Sequence, residues 1–296
     1  MALPVDTVPE CLREDLASNW QQLLQACNDE QRAWYEASLE DAVFAERLSR
    51  LLASSQAGFE ILRQLPQVLI DLQSAGELDA PESDFAFTAQ PASVAELDKA
   101  LRRFRNRHWL RIVWRDLNRL ADTSQTTTDL SLLADRCLQV ALDFHHQDLA
   151  AEWGAPQGRS GEPQRLVVIA MGKLGACELN LSSDIDLIFT YPESGETVGG
   201  ARQVDNQQFF IKLGQRLIAS LDQRTADGFV FRMDMRLRPY GQSGPLVINF
   251  DAMEGYYQDQ GVGARRHDQG AGRGRRHRLW RAVAGRSEAF CLSALY

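Results

Sequence analysis

The sequence lacks the features of a membrane-spanning or secreted protein. No uninterrupted apolar run approaches the ~20 residues that a membrane helix requires, and the longest clear one extends only from Leu166 to Met171. The opening residues, MALPVDTVPE, contain no basic segment followed by a hydrophobic stretch, which a secretory signal would need. We therefore expect no membrane association and a cytoplasmic location.

Cysteine and lysine are both scarce. The five cysteines are widely scattered and form no C-x-x-C pair, so zinc and redox centres of that kind are not predicted and the thiols are expected to be reduced. The 32 basic and 40 acidic side chains give a net charge of −8, which disfavours binding to nucleic acid. A small molecule or another protein is the expected partner.

What is present fits a globular chain, since 44% of the 296 residues are hydrophobic. Residues 1–153 read as an all-α region, with breaks expected near residues 54–58, 76–90 and 123–128. Within this region RRFRNRHWLRIVWRDL keeps the i, i+3/i+4 spacing of a helix, which should bury one face and expose its arginines on the other. Ser93 and Glu96 form the capping-box pattern that would begin this helix.

The period of the hydrophobic pattern changes after a Gly- and Pro-rich segment, residues 154–163, which indicates a linker or surface loop. RLVVIAM, DIDLIFTY and GFVFRMDMRLR then have the composition and alternation of strands. A helical stripe of four apolar residues lies between the last two: Phe210, Leu213, Leu217 and Leu221. We predict an α+β protein in which a small α/β unit, residues 154–261, follows the helical region.

The last 35 residues differ from the rest. Residues 262–296 hold eight arginines against Asp268 and Glu288. Back-translation of VGARRHDQGAGRGR with GC-rich codons, read in the neighbouring frame, can give WERVAMIKARVVAG, an amphipathic peptide of globular composition. We interpret the tail as the product of a frameshift just after Gly261 and expect it to be disordered.

Three aspartates are the candidate catalytic and metal-binding residues. Asp184 and Asp186 lie two apart in a predicted strand and should project from one face. Asp234 lies in a later predicted strand, on the same face as Arg232 and Arg236. If the two strands are neighbours, three carboxylates meet, and hard oxygen ligands of this kind suit Mg²⁺ or Mn²⁺.

Each of these signals has an ordinary structural interpretation as well. A D-x-D pair also occurs at solvated edges and turns, and the arginines could form simple ion pairs along a strand face. Gly172 and Gly175 could serve only a tight turn, and Lys173 could be a surface charge. The order of these motifs along the chain favours a catalytic role, because a strand, a glycine-containing turn and Ser183 precede D-I-D.

The segments MGKLGACELNLSSDIDLIFTYPE and DNQQFFIKLGQRLIASLDQRTADGFVFRMDMRLRPYGQSGPLV carry a specific resemblance. Their pattern is similar to the nucleotidyltransferase fold of the DNA polymerase β superfamily. More closely, together with YYQDQG and the arginine-rich helix, they resemble the bifunctional glutamine synthetase adenylyltransferase/adenylyl-removing enzymes. That family continues with a W-E-R…IKAR…G pattern, as in the neighbouring frame of the tail. On this resemblance the chain is a truncated copy of the first, adenylyl-removing half.

The resemblance implies a reaction and a set of site residues. Inorganic phosphate would attack the AMP phosphorus on a tyrosine of glutamine synthetase and release ADP, with Mg²⁺ held by Asp184, Asp186 and Asp234. The expected nucleotide- and phosphate-binding residues are Gly172, Lys173, Ser183, Arg232, Arg236 and Arg238. Glutamine synthetase, phosphate, ADP or ATP, and a PII nitrogen-signalling protein are the expected partners.

Two other functions stay open on the sequence alone. The same metal-binding residues would serve transfer of AMP from ATP onto glutamine synthetase, because both directions share the chemistry at phosphorus. The chain could also be a catalytically silent fragment that only binds glutamine synthetase.

Overall fold

The computed structural model describes residues 3–81, 85–267 and 281–282, and the side chains of this part up to residue 259. Seven α-helices precede the first strand: α1 (Arg13–Ala26), α2 (Asp29–Ser38), α3 (Ala42–Ser54), α4 (Gln56–Gln64), α5 (Gln67–Ser74), α6 (Val94–Leu117) and α7 (Thr123–Trp153). The elements that follow are β1 (Gly154–Pro156), β2 (Val167–Met171), α8 (Gly172–Gly175), β3 (Ile185–Tyr191), β4 (Thr197–Gly199), α9 (Asn206–Asp222), β5 (Met233–Asp234), β6 (Val247–Asn249), α10 (Phe250–His267) and β7 (Arg281–Ala282). The predicted α+β class is confirmed. No helix in the described ranges has the length and apolar character to cross a membrane.

Contacts divide the chain into two compact units. The first contains residues 1–88 and 102–133, and the second contains residues 89–101 and 134–296. Both α6 and α7 therefore contribute to each unit. The predicted boundary after Trp153 coincides with the change from helix to strand, whereas the division by contacts falls inside the two long helices.

The start of α6 follows the sequence pattern. The backbone N–H of Glu96 donates to Ser93 Oγ at 3.3 Å, and the Glu96 carboxylate accepts the N–H of Ala92 at 2.9 Å. These bonds satisfy donors that every helix N-terminus leaves unpaired. The expected loop over residues 76–90 is also found between α5 and α6.

Two predicted breaks are wrong. Residues 123–128 form the first turns of α7. The carboxylate of Asp122 accepts the N–H of Gln125 at 2.7 Å and so caps the helix directly before Thr123. Residues 154–156, expected to be loop, form β1 and pair antiparallel with β4. Gly154, at φ +88°, permits this, since a Cβ there would lie 2.6 Å from the carbonyl oxygen of Val198.

Three of the six arginines of α6 contradict the expectation that they face solvent. In the first unit Arg102, Arg111 and Arg115 are each only 1% exposed. The Nε atom of Arg111 donates to the carbonyl of Glu77 at 2.8 Å, and Arg115 Nη1 donates to that of Asp79 at 2.9 Å. A guanidinium carries five N–H donors, so it can be buried where loop carbonyls need partners. Here the loop after α5 supplies them.

The second unit contains a mixed sheet built around β3. β2 runs antiparallel to β3, β7 pairs with the far edge of β2, and β5 and β6 both run parallel to β3 on its other side. β5 pairs with the start of β3 and β6 with its end. Ile185 and Leu187 are fully buried, as the alternating pattern predicts.

One face of this sheet is covered by α9. The four predicted stripe residues of α9 are all fully buried, and the ring of Phe210 stacks on Tyr191 with centroids 4.7 Å apart. The same helix is bound to the second half of α7, where His145 Nε2 lies 2.8 Å from Ser220 Oγ and Arg216 pairs with Asp148 at 2.7 Å. These contacts fix α9 within the second unit.

The other face of the sheet is covered by α10. Met253 joins Ile169, Ile188 and Ile248 in one buried cluster, against which Val167, Met171 and Tyr257 pack. In the described part of the tail, residues 262–267 continue α10 and residues 281–282 pair with β2. The remaining tail residues lie outside the described residues, and the frameshift and the disorder stay predictions.

The strand predicted over GFVFRMDMRLR is much shorter than expected. Only Met233–Asp234 forms β5. The carboxylate of Asp234 accepts the backbone N–H of Arg236 at 2.8 Å, a local turn that competes with the strand ladder. Arg236 therefore lies in a turn rather than on a continuing strand face.

Candidate active site

The three aspartates lie at the same end of the sheet. Asp186 is the second residue of β3 and Asp234 the last of β5, and their Cα atoms are register partners in the parallel pair. Neighbouring strands lie ~4.8 Å apart. Asp184 precedes Asp186 by two residues, where the N–H of Ile185 still bonds to the carbonyl of Arg232 at 2.9 Å. The chain is thus extended there, and Asp184 and Asp186 lie on the same side of it.

Asp186 carries the electrostatic signature of crowded acids. Its pKa is raised above the usual aspartate value, first by burial and then by the charges of Asp234 and Asp184, with Arg236 and Lys173 acting in the opposite direction. A bound cation would relieve this repulsion on Asp186.

Two arginines are paired with the outer acids. Arg232 Nε donates to Asp184 Oδ1 at 2.5 Å, and its Nη2 donates to the carbonyl of Ser182 at 2.6 Å. Arg236 Nε lies 2.8 Å from Asp234 Oδ2, and hydrogen bonds from Arg236 lower the pKa of Asp234. The ion pairs that the sequence left open for these two arginines are therefore present.

Arg238 occupies a different position from the other two arginines. Its Nη1 donates to the carbonyl of Met235 at 2.7 Å. This bond braces the loop between β5 and β6 from within.

The donor set suits magnesium in its chemistry, but the side chains are not arranged around a common point. Within the described ranges, no group of three or more His, Cys, Asp and Glu side chains is placed to hold a metal ion. Arg232 and Arg236 hold oxygens of Asp184 and Asp234 that a cation would need. The metal site stays a prediction.

Gly172 has a specific role beside Asp186. It begins α8 at φ +55°, and a Cβ at this position would lie 2.5 Å from Asp186 Oδ2. Real Cβ atoms do not come so close to another heavy atom. Glycine therefore permits both the left-handed backbone and the close approach of this turn to the carboxylate.

Lys173 and Ser183 are brought together by the same turn. Lys173 Nζ donates to Ser183 Oγ at 3.1 Å, and Ser183 in turn donates to Asn180 Oδ1. The sequence prediction missed Asn180, because nothing in ELNLSSD marks which residue the serine hydroxyl will bond. The three side chains form one polar network along the segment that leads to Asp184.

Asp222 was also missed. This last residue of α9 accepts the N–H of Met233 at 3.1 Å, while the carbonyl of Leu221 accepts the N–H groups of Val230 and Phe231 at 2.9 and 3.1 Å. The end of α9 thereby holds β5, and with it Asp234, beside β3. A carboxylate at a helix C-terminus interacts unfavourably with the helix dipole. That unfavourable position is the feature of the sequence that could have indicated a role for Asp222.

A separate open groove of about 410 Å³ lies along α9. It is lined by Trp153, Asp205, Gln207, Gln208, Ile211, Lys212 and Gln215. None of the predicted site residues lines it, and it offers a single carboxylate. Because the acids and the glycine turn lie at the end of the sheet, that end and not this groove is the candidate active site.

Comparison with known proteins identifies the family. A family model described as glutamate-ammonia ligase adenylyltransferase matches residues 45–263. A relative from Pseudomonas aeruginosa, named bifunctional glutamine synthetase adenylyltransferase/adenylyl-removing enzyme, is 52% identical over 237 residues, covering 77% of this chain and 24% of that protein. Proteins of the same name from Nitrosococcus oceani and Thioalkalivibrio sulfidiphilus are 46% and 44% identical over 82% and 87% of this chain.

The matched segment covers most of this chain but only a small part of each relative. The chain spans about a quarter of the length of these curated proteins, 24% to 28% of each. The family model nevertheless covers well over half of the 296 residues, including the whole of the acid-bearing segment. The chain therefore belongs to the glutamate-ammonia ligase adenylyltransferase family.

Proposed function

We propose that the second unit is a Mg²⁺-dependent nucleotidyltransferase that removes AMP from an adenylylated tyrosine of glutamine synthetase by phosphorolysis. The observation that carries the proposal is the pairing of Asp186 with Asp234 across β3 and β5, beside the turn at Gly172. The relatives' names include both adenylyl transfer and adenylyl removal. They support a nucleotidyl-transfer site, and the resemblance of the sequence motifs to the adenylyl-removing half of that family favours removal.

The reaction is a displacement at phosphorus. An oxygen of inorganic phosphate forms a bond to the AMP phosphorus, the bond from that phosphorus to the tyrosine oxygen breaks, and the tyrosine oxygen takes up a proton. The products are ADP and glutamine synthetase with an unmodified tyrosine side chain. Such a reaction depends mainly on positioning the reactants and on neutralising charge.

The chain's own residues divide this work. Asp184, Asp186 and Asp234 would hold Mg²⁺, which when bound would neutralise phosphoryl oxygens. Lys173 and the Ser183 hydroxyl would contact phosphate oxygens alongside the Gly172 turn. The side chains of Arg232 and Arg236 are 50% and 72% exposed and can exchange their carboxylate partners for phosphate. A PII nitrogen-signalling protein stays a proposed partner.

The test compares Asp186→Asn with Asp251→Asn, which changes an exposed acid at the start of α10. The measurement is ADP release from adenylylated glutamine synthetase with phosphate and Mg²⁺. Asp186→Asn should lose at least ~100-fold of the rate, because several kcal/mol of charge stabilisation depend on the metal ligands, whereas Asp251→Asn should match the parent.

The other outcomes are distinct. Turnover only with ATP and unmodified glutamine synthetase would replace the proposed direction by adenylyl transfer. Binding to glutamine synthetase without turnover in either direction would favour the silent binding fragment. Parent-like activity of Asp186→Asn would refute the site.

A further inference from the structure

Tyr240 occupies an unusual position in the loop that follows Asp234. Its side chain is among the most exposed large apolar groups of the described chain, at 57%, and its backbone is left-handed at φ +61°. Bulky residues rarely adopt this conformation, and where they do, the surrounding structure enforces it. The N–H of Gly241 bonds to the Arg238 carbonyl at 2.8 Å, and Ser243 Oγ donates to the Tyr240 carbonyl at 2.7 Å. The loop thereby fixes the direction in which the ring leaves the backbone.

The ring of Tyr240 is also supported from behind. It meets the ring of Tyr256 edge-on with centroids 4.6 Å apart, and Tyr256 meets Tyr257 in the same way at 5.2 Å. Tyr257 packs against the buried cluster of the sheet. Two aromatic rings therefore connect the hydrophobic core to the exposed ring of Tyr240, which is more rigid than an isolated surface tyrosine.

This aromatic group lies on the face of the sheet from which Asp186 projects. Asp186 and Ile188 are two apart on β3 and so share a face, and Ile188 belongs to the cluster against which Tyr257 packs. Met171, the register partner of Asp186, packs against the same cluster. Tyr240 itself follows Arg236 by four residues, which limits their Cα separation to ~14 Å. A Cβ on Gly241, the next residue, would lie 3.8 Å from the carbonyl oxygen of Arg236. The exposed ring therefore leaves a loop that folds back beside Arg236.

We propose that Tyr240 is the stacking surface for the purine base of the nucleotide, an inference that rests on the proposed function. The groups at the acids, namely Lys173, Ser183 and Arg232, offer charge and hydrogen bonds but no aromatic face. A protein recognises a base by stacking on it with an aromatic face or by hydrogen bonds to its edge. The Tyr240 ring supplies an aromatic face. Tyr240 is accordingly a specificity-determining residue that separates a nucleotide from inorganic phosphates.

The test is calorimetric binding of ADP and of inorganic pyrophosphate, each with Mg²⁺, to the full chain and to Tyr240→Phe and Tyr240→Ala. Both variants keep a Cβ, so both retain the left-handed backbone cost. Base stacking on an aromatic ring is worth ~1–3 kcal/mol, or about 5- to 150-fold in affinity. Tyr240→Ala should lose at least about 5-fold in ADP affinity and keep pyrophosphate affinity within about twofold. Tyr240→Phe should bind both as the parent does.

Each remaining result has a definite meaning. Unchanged ADP binding by Tyr240→Ala, or equal losses for ADP and pyrophosphate, would overturn the stacking role. Parent protein that binds ADP no better than pyrophosphate would also overturn it, while leaving a phosphate site intact. Parent protein that binds neither ligand would instead overturn the proposed function.

Discussion

Substitution of Gly172 by alanine tests the connection between the glycine turn and the acids. Two effects are expected. An L-residue at φ +55° costs ~1–2 kcal/mol of stability. The new Cβ would also lie 2.5 Å from Asp186 Oδ2, about 0.9 Å closer than the 3.4 Å at which ordinary contact begins.

The second effect should appear in activity rather than in stability. The atom in conflict is the end of a partly exposed side chain, so the carboxylate can rotate away at little cost to folding. A reactive group displaced by ~1 Å can lose ~100-fold in rate. We expect Gly172→Ala to be ~1–2 kcal/mol less stable in urea unfolding and ~100-fold slower in ADP release from adenylylated glutamine synthetase.

Gly76→Ala is the matched control. Gly76 also has a left-handed backbone, at φ +68°, but nothing lies within 4 Å of the point that an alanine methyl group would occupy there. It should therefore show the same loss of stability with parent-like turnover. If Gly172→Ala turns over within about twofold of Gly76→Ala, then contact between the turn and Asp186 does not position the carboxylate, and the reasoning fails.

Two further predictions concern stability of the first unit. Burial, followed by the charges of Arg107 and Arg111, lowers the pKa of His108 from 6.5 to about 4. The unfolded chain therefore binds the proton more tightly than the folded chain, and the free energy of unfolding should fall by about 2 kcal/mol between pH 7 and pH 5. Urea unfolding of His108→Leu should lack this part of the loss. Arg115→Lys should cost ~2–4 kcal/mol in the same assay, because one ammonium cannot replace the buried guanidinium at several carbonyls, whereas Arg103→Lys, on an exposed position of the same helix, should change stability by less than ~0.5 kcal/mol.

The arginines of α6 show where sequence patterns lose information. Helical spacing correctly identifies α6, but it treats every arginine as a solvent-facing residue. Arg111 and Arg115 are buried because their donors meet the carbonyls of a loop more than 30 residues earlier in the chain. That partner has no pattern of its own, since any residue type supplies a carbonyl.

The acids show the opposite case. Alternation in DIDLIFTY is a property of the backbone, so it predicts correctly that Ile185 and Leu187 are buried beside Asp186. The pairing of β5 with β3 agrees with the suggestion that Asp234 lies next to them. The length of β5 could not be read in this way, because the turn at Asp234 depends on one side chain bonding to the N–H of Arg236.

The placement of α6 and α7 in both units affects how this protein can be dissected or recombined. A gene fragment beginning at Gly154 would contain every strand of the described residues and all three acids of the candidate site, yet it would omit residues 89–101 and 134–153 of the second unit. His145 and Asp148, the partners of Ser220 and Arg216 on α9, would be lost with them. We therefore expect that the acid-bearing unit cannot be expressed or recombined as residues 154 onward alone. A shortened version must retain the helical segments that precede its first strand.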